Sequence, residues 1–298
     1  MRSKKEKYPA PLVLLKKRLG QHILEDKEIL RFIVESCEIH PDTTALEIGS
    51  GVANLTEGLA MKAKHVVAVE IDPQFQIYHK RLLIKYSNVS FIYENILDIN
   101  LENLEQLREA RDLIIAGNIP YNITSPLVMK ILEGSRTFRH MILMVQKELA
   151  QRYCAPPGTR NTSAITLKIH FLCEPGILRL VPREVFQPQP RVDSALIRFI
   201  PHSRTPLTGE TRLVFFRLLD AAFSQRRKTI LNSLGSQLGS VMSKKDLAEV
   251  FQSAGIDPGK RPEAILLKEY LSLFDALQKM ACFSSLPGFN TKRRVKNL

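Results

Sequence analysis

The sequence predicts an α/β protein in which a largely parallel β-sheet carries helices on both faces and a smaller, all-helical domain follows. Across the first two thirds of the chain, short apolar runs rich in Val and Ile alternate with segments of helical periodicity. This alternation is typical of consecutive βαβ units. A linker containing Pro, Ser, Thr and Gly at residues 201–210 interrupts the pattern, and only helical patterns follow it.

Strands and helices are assigned in chain order from length and periodicity. The predicted strands are residues 44–49 (TALEIG), 65–71 (HVVAVEI), 89–93 (VSFIY), 112–117 (DLIIAG) and 140–146 (HMILMVQ). The helices predicted between them are residues 53–63, 73–86, 101–110 and 125–135. Three later runs are predicted to extend the same sheet: residues 163–172 (SAITLKIHFL), 176–181 (GILRLV) and 192–200 (VDSALIRFI).

These patterns divide the chain into four parts. Residues 1–20 are predicted to be a basic arm, residues 21–204 the α/β domain, and residues 205–282 the helical domain. Residues 283–298 have no amphipathic period and are predicted to be a flexible basic tail.

The composition is that of a soluble globular protein with a basic surface. The 298 residues are 44% hydrophobic and 24% charged, and 43 Lys and Arg against 30 Asp and Glu give a net charge of +13. This charge favours a polyanionic partner, either nucleic acid or an acidic membrane surface. The four cysteines form no Cys-x-x-Cys pair, which argues against a zinc site or a disulfide framework and fits a reducing intracellular compartment.

The N-terminal arm lacks the features of a signal peptide. Its apolar stretch PLVLL is short and is followed by basic residues rather than a cleavage site. A mitochondrial transit peptide is an alternative, because Glu6 is the only acid in this basic segment. No apolar run approaches the roughly 20 residues that cross a bilayer, and no membrane partner is expected.

A glycine pair and an acid predict a nucleotide-type cofactor site. Gly49 and Gly51 follow the first predicted strand, where glycines let backbone N–H groups approach a ligand, although a tight turn alone also requires glycine. Glu70 ends the next predicted strand, where its carboxylate can accept hydrogen bonds from both ribose hydroxyls. The glycine pair and the acid together are stronger evidence for a cofactor site than either feature alone.

The residues around this loop leave NAD and S-adenosylmethionine open as the cofactor. The dinucleotide fingerprint requires Gly or Ala where this chain has Asn54. Glu47 lies two residues before the first glycine, where its carboxylate can orient the loop or bind the amino group of a methionine moiety. A pyrophosphate ligand has no amino group and would not need this acid. The pattern therefore favours S-adenosylmethionine.

The segment Asn118, Ile119, Pro120 and Tyr121 follows the fourth predicted strand and faces the same crevice. An exocyclic adenine amine is a poor nucleophile, because its lone pair is delocalised into the ring. The Asn118 side-chain oxygen and the Ile119 carbonyl can hold such an amine, with Pro120 fixing the backbone. Tyr121 offers a ring on which the base can stack. A turn with a capping asparagine is the structural alternative.

Seven segments together resemble the small-subunit rRNA adenine N6,N6-dimethyltransferases, the KsgA type. They are KKRLGQHILED (16–26), LEIGSGVANLT (46–56), VAVEID (67–72), GNIPYNITSPL (117–127), MVQKELAQR (144–152), VFQPQPRVDSALIRF (185–199) and FSQRRKTILNSL (223–234). The resemblance implies a Rossmann-like class I methyltransferase sheet that binds S-adenosylmethionine, and a C-terminal helical domain that binds rRNA. It also implies dimethylation at N6 of two adjacent adenosines in the 3′-terminal hairpin of small-subunit rRNA, with a role in subunit biogenesis.

The resemblance assigns site residues where this chain matches the family. Gln21, Leu24, Gly49 and Glu70 agree with its cofactor contacts, and Phe186 is implied as a second stacking face. His22 and Asn95 depart from the family's usual Asn and Asp, so their cofactor contacts are open. Arg226, Arg227 and Lys228 are implied on the rRNA-binding side, where they can grip phosphates.

The resemblance also sets the partners and the rival functions. The expected partners are small-subunit rRNA and the immature small ribosomal subunit, and the expected protein is a monomer in the cytoplasm, or in a mitochondrion or nucleolus if eukaryotic. The rivals are a 23S rRNA adenine N6-methyltransferase of the antibiotic-resistance type, a mitochondrial transcription factor of the same fold and a non-catalytic assembly factor. The FSQRRKTILNSL segment favours the small-subunit enzyme.

Overall fold

The computed structural model describes residues 15–16, 19–225, 227–240 and 242–280. Its strands are β1 (Ile23–Leu24), β2 (Thr43–Ile48), β3 (His65–Val69), β4 (Val89–Ile92), β5 (Asp112–Asn118), β6 (His140–Gln146), β7 (Cys173–Val181), β8 (Phe186–Gln187) and β9 (Ser194–Pro201). Its helices are α1 (Lys27–Ser36), α2 (Asn54–Ala60), α3 (Gln76–Lys85), α4 (Thr124–Glu133), α5 (Lys147–Tyr153), α6 (Ala164–Leu172), α7 (Gly209–Ala222), α8 (Ile230–Leu238), α9 (Lys244–Ser253) and α10 (Leu267–Gln278). Among these residues no helix is both long and apolar enough to span a bilayer.

The main sheet has the order β4-β3-β2-β5-β6-β9-β7, and a separate antiparallel pair joins β1 to β8. The pairs β2–β3, β2–β5, β3–β4 and β5–β6 are parallel. The chain therefore proceeds from β2 toward β4 on one side and from β5 toward β6 on the other. This reversal makes the carboxyl ends of β2 and β5 a topological switch point, where open α/β sheets bind ligands.

Burial explains why these strands were predictable. Every residue of β2 is buried, as is nearly all of β6, because helices cover both faces of the sheet. Close packing of β2 against β5 also requires Gly117, since a Cβ atom there would lie 2.5 Å from the Ile48 carbonyl oxygen. The predicted α/β class is confirmed, and the five strands predicted first correspond to β2 to β6.

Two predicted elements are wrong. The helix predicted over residues 101–110 is only a 3₁₀ turn at Glu105–Leu107. Just before it, the Asn100 side chain accepts the Glu102 N–H, a local hydrogen bond that competes with helix formation. The strand predicted over residues 163–172 is helix α6, which Ser163 caps in a capping box with Thr166. An apolar run that is buried all round does not distinguish strand from helix by periodicity.

The chain forms two compact units, whose division differs from the predicted boundary at residue 205. The first contains residues through Lys147 together with Leu178–Arg198, and the second contains Glu148–Ile177 together with Phe199 onward. Residues 148–177 thus group with the C-terminal helices, because Phe171 of α6 packs on Phe215 and Phe216 of α7. Sequence patterns indicate where the type of secondary structure changes, whereas the packing of apolar side chains decides which elements share a core.

Candidate cofactor and target-base site

A cavity opens at the switch point, within the first unit. Its wall comes from the loops that follow β2, β3, β4 and β5 and from the segment leading into β1. The lining residues are 19–24, 48–52, 69–71, 94–96 and 118–123, with Asn54 and Phe75.

The glycine loop after β2 has a backbone conformation that favours glycine at two positions. Gly49 and Gly51 have φ values of +78° and +51°, in the left-handed region that favours glycine. The Gly49 N–H donates to the Val69 carbonyl at 2.8 Å, and a Cβ at Gly49 would lie 3.3 Å from the Asn118 carbonyl oxygen. The loop therefore lies close to both β3 and the end of β5.

Glu70 lies at the end of β3, where it ties the loop to the strand. Its Oε2 accepts the Gly51 N–H at 2.8 Å, and its Oε1 accepts the Asp72 N–H at 2.9 Å. Burial raises the pKa of this carboxyl, while the two backbone donors oppose the rise. Each oxygen keeps a lone pair for a ligand hydroxyl, so the predicted ribose acceptor is on the cavity wall.

Glu47 lies behind the wall rather than on it. Its side chain is 1% exposed, and its Oε2 has no hydrogen-bond partner in the described part of the chain. Burial, with a smaller contribution from the neighbouring Glu70, raises its pKa to about 8. At pH 7 Glu47 is therefore mostly protonated, which fits its predicted role in orienting the loop better than direct contact with a ligand.

Asp72, an acid that was not predicted as a site residue, holds the segment before β1 at the cavity wall. Asp72 is almost fully buried and accepts Gln21 Nε2 and Lys16 Nζ, both at 2.9 Å. Burial alone would raise its pKa, but the hydrogen bonds from Lys16, Gln21 and Gln74 hold the pKa below its usual range. Gln21 thus reaches the wall by anchoring the chain to Asp72. The only sequence signal for Asp72 was its position two residues after Glu70.

Leu24 and Phe186 are brought together by the β1–β8 pair, in which they are partners. Leu24 lines the cavity as predicted, and its carbonyl accepts Asn54 Nδ2 at 3.0 Å. Phe186 is not on the wall: it is 3% exposed and lies in the apolar core with Val181 and Leu196. The structure therefore buries the Phe186 ring among apolar side chains next to Leu24, and its role as a second stacking face stays a prediction.

The segment after β5 presents one acceptor and one ring. Asn118 donates from Nδ2 to the His22 carbonyl at 2.8 Å, an assignment that leaves its Oδ1 as a hydrogen-bond acceptor. Ile119 is buried, and its N–H donates to the Met144 carbonyl of β6 at 3.3 Å. The Tyr121 hydroxyl shares a hydrogen bond of 2.8 Å with buried Ser194. The predicted amine acceptor and stacking ring are thus each held by a second group.

His22 lies beside the stacking ring. Its ring is 5.7 Å from that of Tyr121, centroid to centroid, with 28° between the planes. His22 Nδ1 is 2.6 Å from the Pro188 carbonyl, and since a carbonyl only accepts, Nδ1 carries the proton. This departure from the family's asparagine therefore places an aromatic ring next to Tyr121.

Asn95 lines the cavity while holding a turn. Its Oδ1 accepts the Leu97 N–H at 3.1 Å, and its Nδ2 donates to Asp98 Oδ2 at 2.9 Å. An aspartate here would still accept from Leu97 but would face the Asp98 carboxylate without a proton between them.

Asn95→Asp therefore tests whether this departure lowers cofactor affinity. We expect the added charge to be offset by repulsion from Asp98, so that the dissociation constant for S-adenosylmethionine changes by less than about threefold. Titration calorimetry of parent and variant measures it. A tenfold gain in affinity would show instead that the family's aspartate is the better cofactor ligand.

The basic cluster of the second unit is partly described. Arg227 and Lys228 are exposed in the turn between the 3₁₀ segment Phe223–Gln225 and α8, and the Lys228 N–H donates to the Gln225 carbonyl at 2.9 Å. Arg226 lies outside the described residues, as do the basic residues of the tail. The phosphate-binding role of the cluster stays a prediction.

Comparisons with known proteins find similarity over most of the chain. The family model for ribosomal RNA adenine dimethylase matches residues 13–279. Proteins named ribosomal RNA small subunit methyltransferase A are similar: that of Geobacillus kaustophilus is 40% identical over 88% of this chain and 90% of its own length. That of Geobacillus thermodenitrificans is 41% identical over 89% and 92%.

Two solved structures share the fold over most of the chain. A dimethyladenosine transferase from Plasmodium falciparum is 26% identical and has a TM-score of 0.71, covering 86% of this chain and 98% of its own. The 23S rRNA methyltransferase ErmE is also 26% identical, with a TM-score of 0.66, covering 86% of this chain and 100% of its own.

Proposed function

Because the chain belongs to the ribosomal RNA adenine dimethylase family, we propose that it dimethylates N6 of two adjacent adenosines in the 3′-terminal hairpin of small-subunit rRNA. The observation that carries the proposal is the side-chain oxygen of Asn118, left as an acceptor beside Tyr121 in the same cavity as Glu70. The relatives at 40% identity or above are named for the small ribosomal subunit, which favours that substrate over 23S rRNA.

S-adenosylmethionine fits the donor set of the cavity. Glu70 offers a carboxylate to the ribose, the backbone of Gly49 and Gly51 leaves room for close approach, and Leu24 supplies an apolar wall. Asn95 lines the same cavity, and we assign the second lone pair of its oxygen to the adenine edge of the cofactor. When bound, the cofactor supplies a methyl group that its sulfonium charge already activates.

The chain's own contribution to transfer is alignment of the target amine. Asn118 Oδ1 and the Ile119 carbonyl accept hydrogen bonds from the two N–H groups of the amine, which holds its lone pair toward the methyl donor. Tyr121 supports the flipped base by stacking, which offsets an unstacking cost of a few kcal/mol. No general base is needed beside Asn118, since the alkylated amine is acidic and releases its proton to water.

Binding of the rRNA itself is assigned to the basic surface. The net charge of +13 and the exposed Arg227 and Lys228 favour phosphate contacts, which position the RNA without reading its sequence. Selection of the target then depends on RNA shape. We further propose that the substrate is the immature small subunit and that the protein acts as a cytoplasmic monomer.

Transfer of tritiated methyl groups tests the function. The parent protein is incubated with labelled S-adenosylmethionine and either small subunits that lack the modification, naked small-subunit rRNA, or large-subunit rRNA. We expect label only on small-subunit substrates, at two adjacent adenosines located by primer extension. Label on 23S rRNA alone would identify the enzyme type represented by ErmE, and absence of label on every substrate would favour a non-catalytic assembly factor.

A further inference from the structure

A buried histidine lies beneath the cofactor loop and has no part in the site described so far. His79 of α3 is 0% exposed. Its ring stacks on that of Phe91 at 3.9 Å between centroids, with only 6° between the planes. This contact fixes the plane of the imidazole and leaves its two nitrogens pointing along set directions.

Both nitrogens have partners, and the partners determine where the proton lies. Nε2 is 2.9 Å from the Gly51 carbonyl and 3.3 Å from the Ser50 hydroxyl, and Nδ1 is 2.8 Å from the Tyr93 hydroxyl. A carbonyl can only accept, so Nε2 carries the proton and donates to Gly51. Burial lowers the pKa of His79 to about 4, so the ring is neutral near pH 7 and Nδ1 accepts the Tyr93 hydroxyl.

Gly51 is therefore held from two directions. Its N–H donates to Glu70 Oε2 at 2.8 Å, and its carbonyl accepts from His79. A Cβ built at Gly51 would meet nothing within 4 Å, so packing at this position does not restrain the loop. The hydrogen bonds to Glu70 and His79 do so instead.

We propose that His79 is a positioning residue for the cofactor: with its Nδ1 bonded to Tyr93, it donates from Nε2 to the Gly51 carbonyl and thereby keeps the loop and Glu70 in the binding geometry. The ligand's identity rests on the proposed function, whereas the hydrogen-bond relay from Tyr93 through His79 to Gly51 does not. A preorganised loop loses less conformational entropy when the cofactor binds, so the effect falls on affinity.

The alternative is a histidine that only fills space between α3 and β4. Such a residue would tolerate an apolar side chain of similar size, and its tautomer would not matter. Two substitutions distinguish a positioning role of His79 from a space-filling one. His79→Leu keeps apolar packing and removes every hydrogen bond of the ring, while His79→Gln places a side-chain N–H where Nε2 now donates to Gly51.

The experiment measures S-adenosylmethionine binding by calorimetry and steady-state methyl transfer on full-length protein. For His79→Leu we expect the dissociation constant and the KM for cofactor to rise about tenfold, since the part-buried Gly51 carbonyl loses its donor. The kcat at saturating cofactor should stay within about twofold of the parent, because target alignment depends on other residues. His79→Gln should restore most of the affinity. His65→Leu is the matched control, as His65 lies at the opposite end of β3.

Nitrogen-15 NMR of the imidazole adds a readout that does not depend on the cofactor. The parent should show a protonated Nε2 and an unprotonated Nδ1 at pH 7. A protonated Nδ1, or folded His79→Leu with parental affinity, would overturn the inference. If the parent protein does not bind S-adenosylmethionine at all, the proposed function fails, and the NMR spectrum still decides whether the relay exists.

Discussion

Asn118→Ala is expected to abolish methyl transfer while leaving S-adenosylmethionine binding within about threefold of the parent. The Asn118 side chain donates to the His22 carbonyl and keeps its oxygen for the target amine. Removing one preorganised hydrogen-bonding group from a reacting centre lowers kcat by about 10²- to 10³-fold. The loss should appear in kcat for transfer to small-subunit rRNA, measured at saturating cofactor.

Asn103→Ala is the matched control, since Asn103 is exposed in the connection between β4 and β5. It undergoes the same chemical change and should behave as the parent. Thermal unfolding of both variants checks that the lost contact to His22 has not unfolded the segment before β1. A large loss of cofactor affinity in Asn118→Ala, with transfer proportionately preserved, would contradict the role assigned to Asn118.

Glu70→Gln is expected to produce the complementary result, a loss of cofactor affinity. The Glu70 carboxylate accepts two backbone N–H groups and offers its remaining lone pairs to the ligand. The glutamine amide must turn an NH₂ group toward the Gly51 or the Asp72 N–H, which places donor against donor. Hydrogen bonds to charged groups contribute about 1.5–3 kcal/mol. The dissociation constant should therefore rise roughly 10- to 150-fold.

Calorimetric titration measures this effect, with Glu105→Gln at an exposed position as control. The pH dependence gives a second check. Burial raises the pKa of Glu70, so its carboxylate protonates at a higher pH than an exposed glutamate, and the parent's affinity should fall as the pH is lowered through that range. Glu70→Gln should lack this component. Parental affinity in a folded Glu70→Gln protein would remove Glu70 from the cofactor site.

Much of the site was predictable because its residues follow strands in a regular order. A parallel strand buried on both faces is a continuous apolar run, and the polar residues directly after it must lie at the sheet's carboxyl edge. Gly49, Glu70 and Asn118 were found in this way, and all three line the cavity. Gln21, Leu24 and His22 came from resemblance alone, since β1 is a strand of two residues with no periodicity to detect.

The groups that hold these residues were less visible. Asp72 anchors Gln21, Ser194 anchors Tyr121, and neither partner is close in sequence to the residue it binds. The burial of Phe186 was also not visible in the sequence, because it depends on the pairing of β8 with β1 and on packing against distant apolar residues. Long-range hydrogen bonds and strand pairing depend on distances that a local pattern does not contain.

The sequence by itself determined the α/β class and the positions of β2 to β6, and it singled out the glycine loop, Glu70 and Asn118 as the predicted cofactor loop, ribose acceptor and amine acceptor. Those features are local, since each follows from the periodicity of one segment or from residues that directly follow a strand. Tertiary structure decided that residues 148–177 join the helical unit, that Glu47 lies behind the cavity wall and that His22 lies beside Tyr121. These outcomes depend on packing between segments far apart in the chain, where burial and hydrogen bonding, rather than local preference, set the free energy.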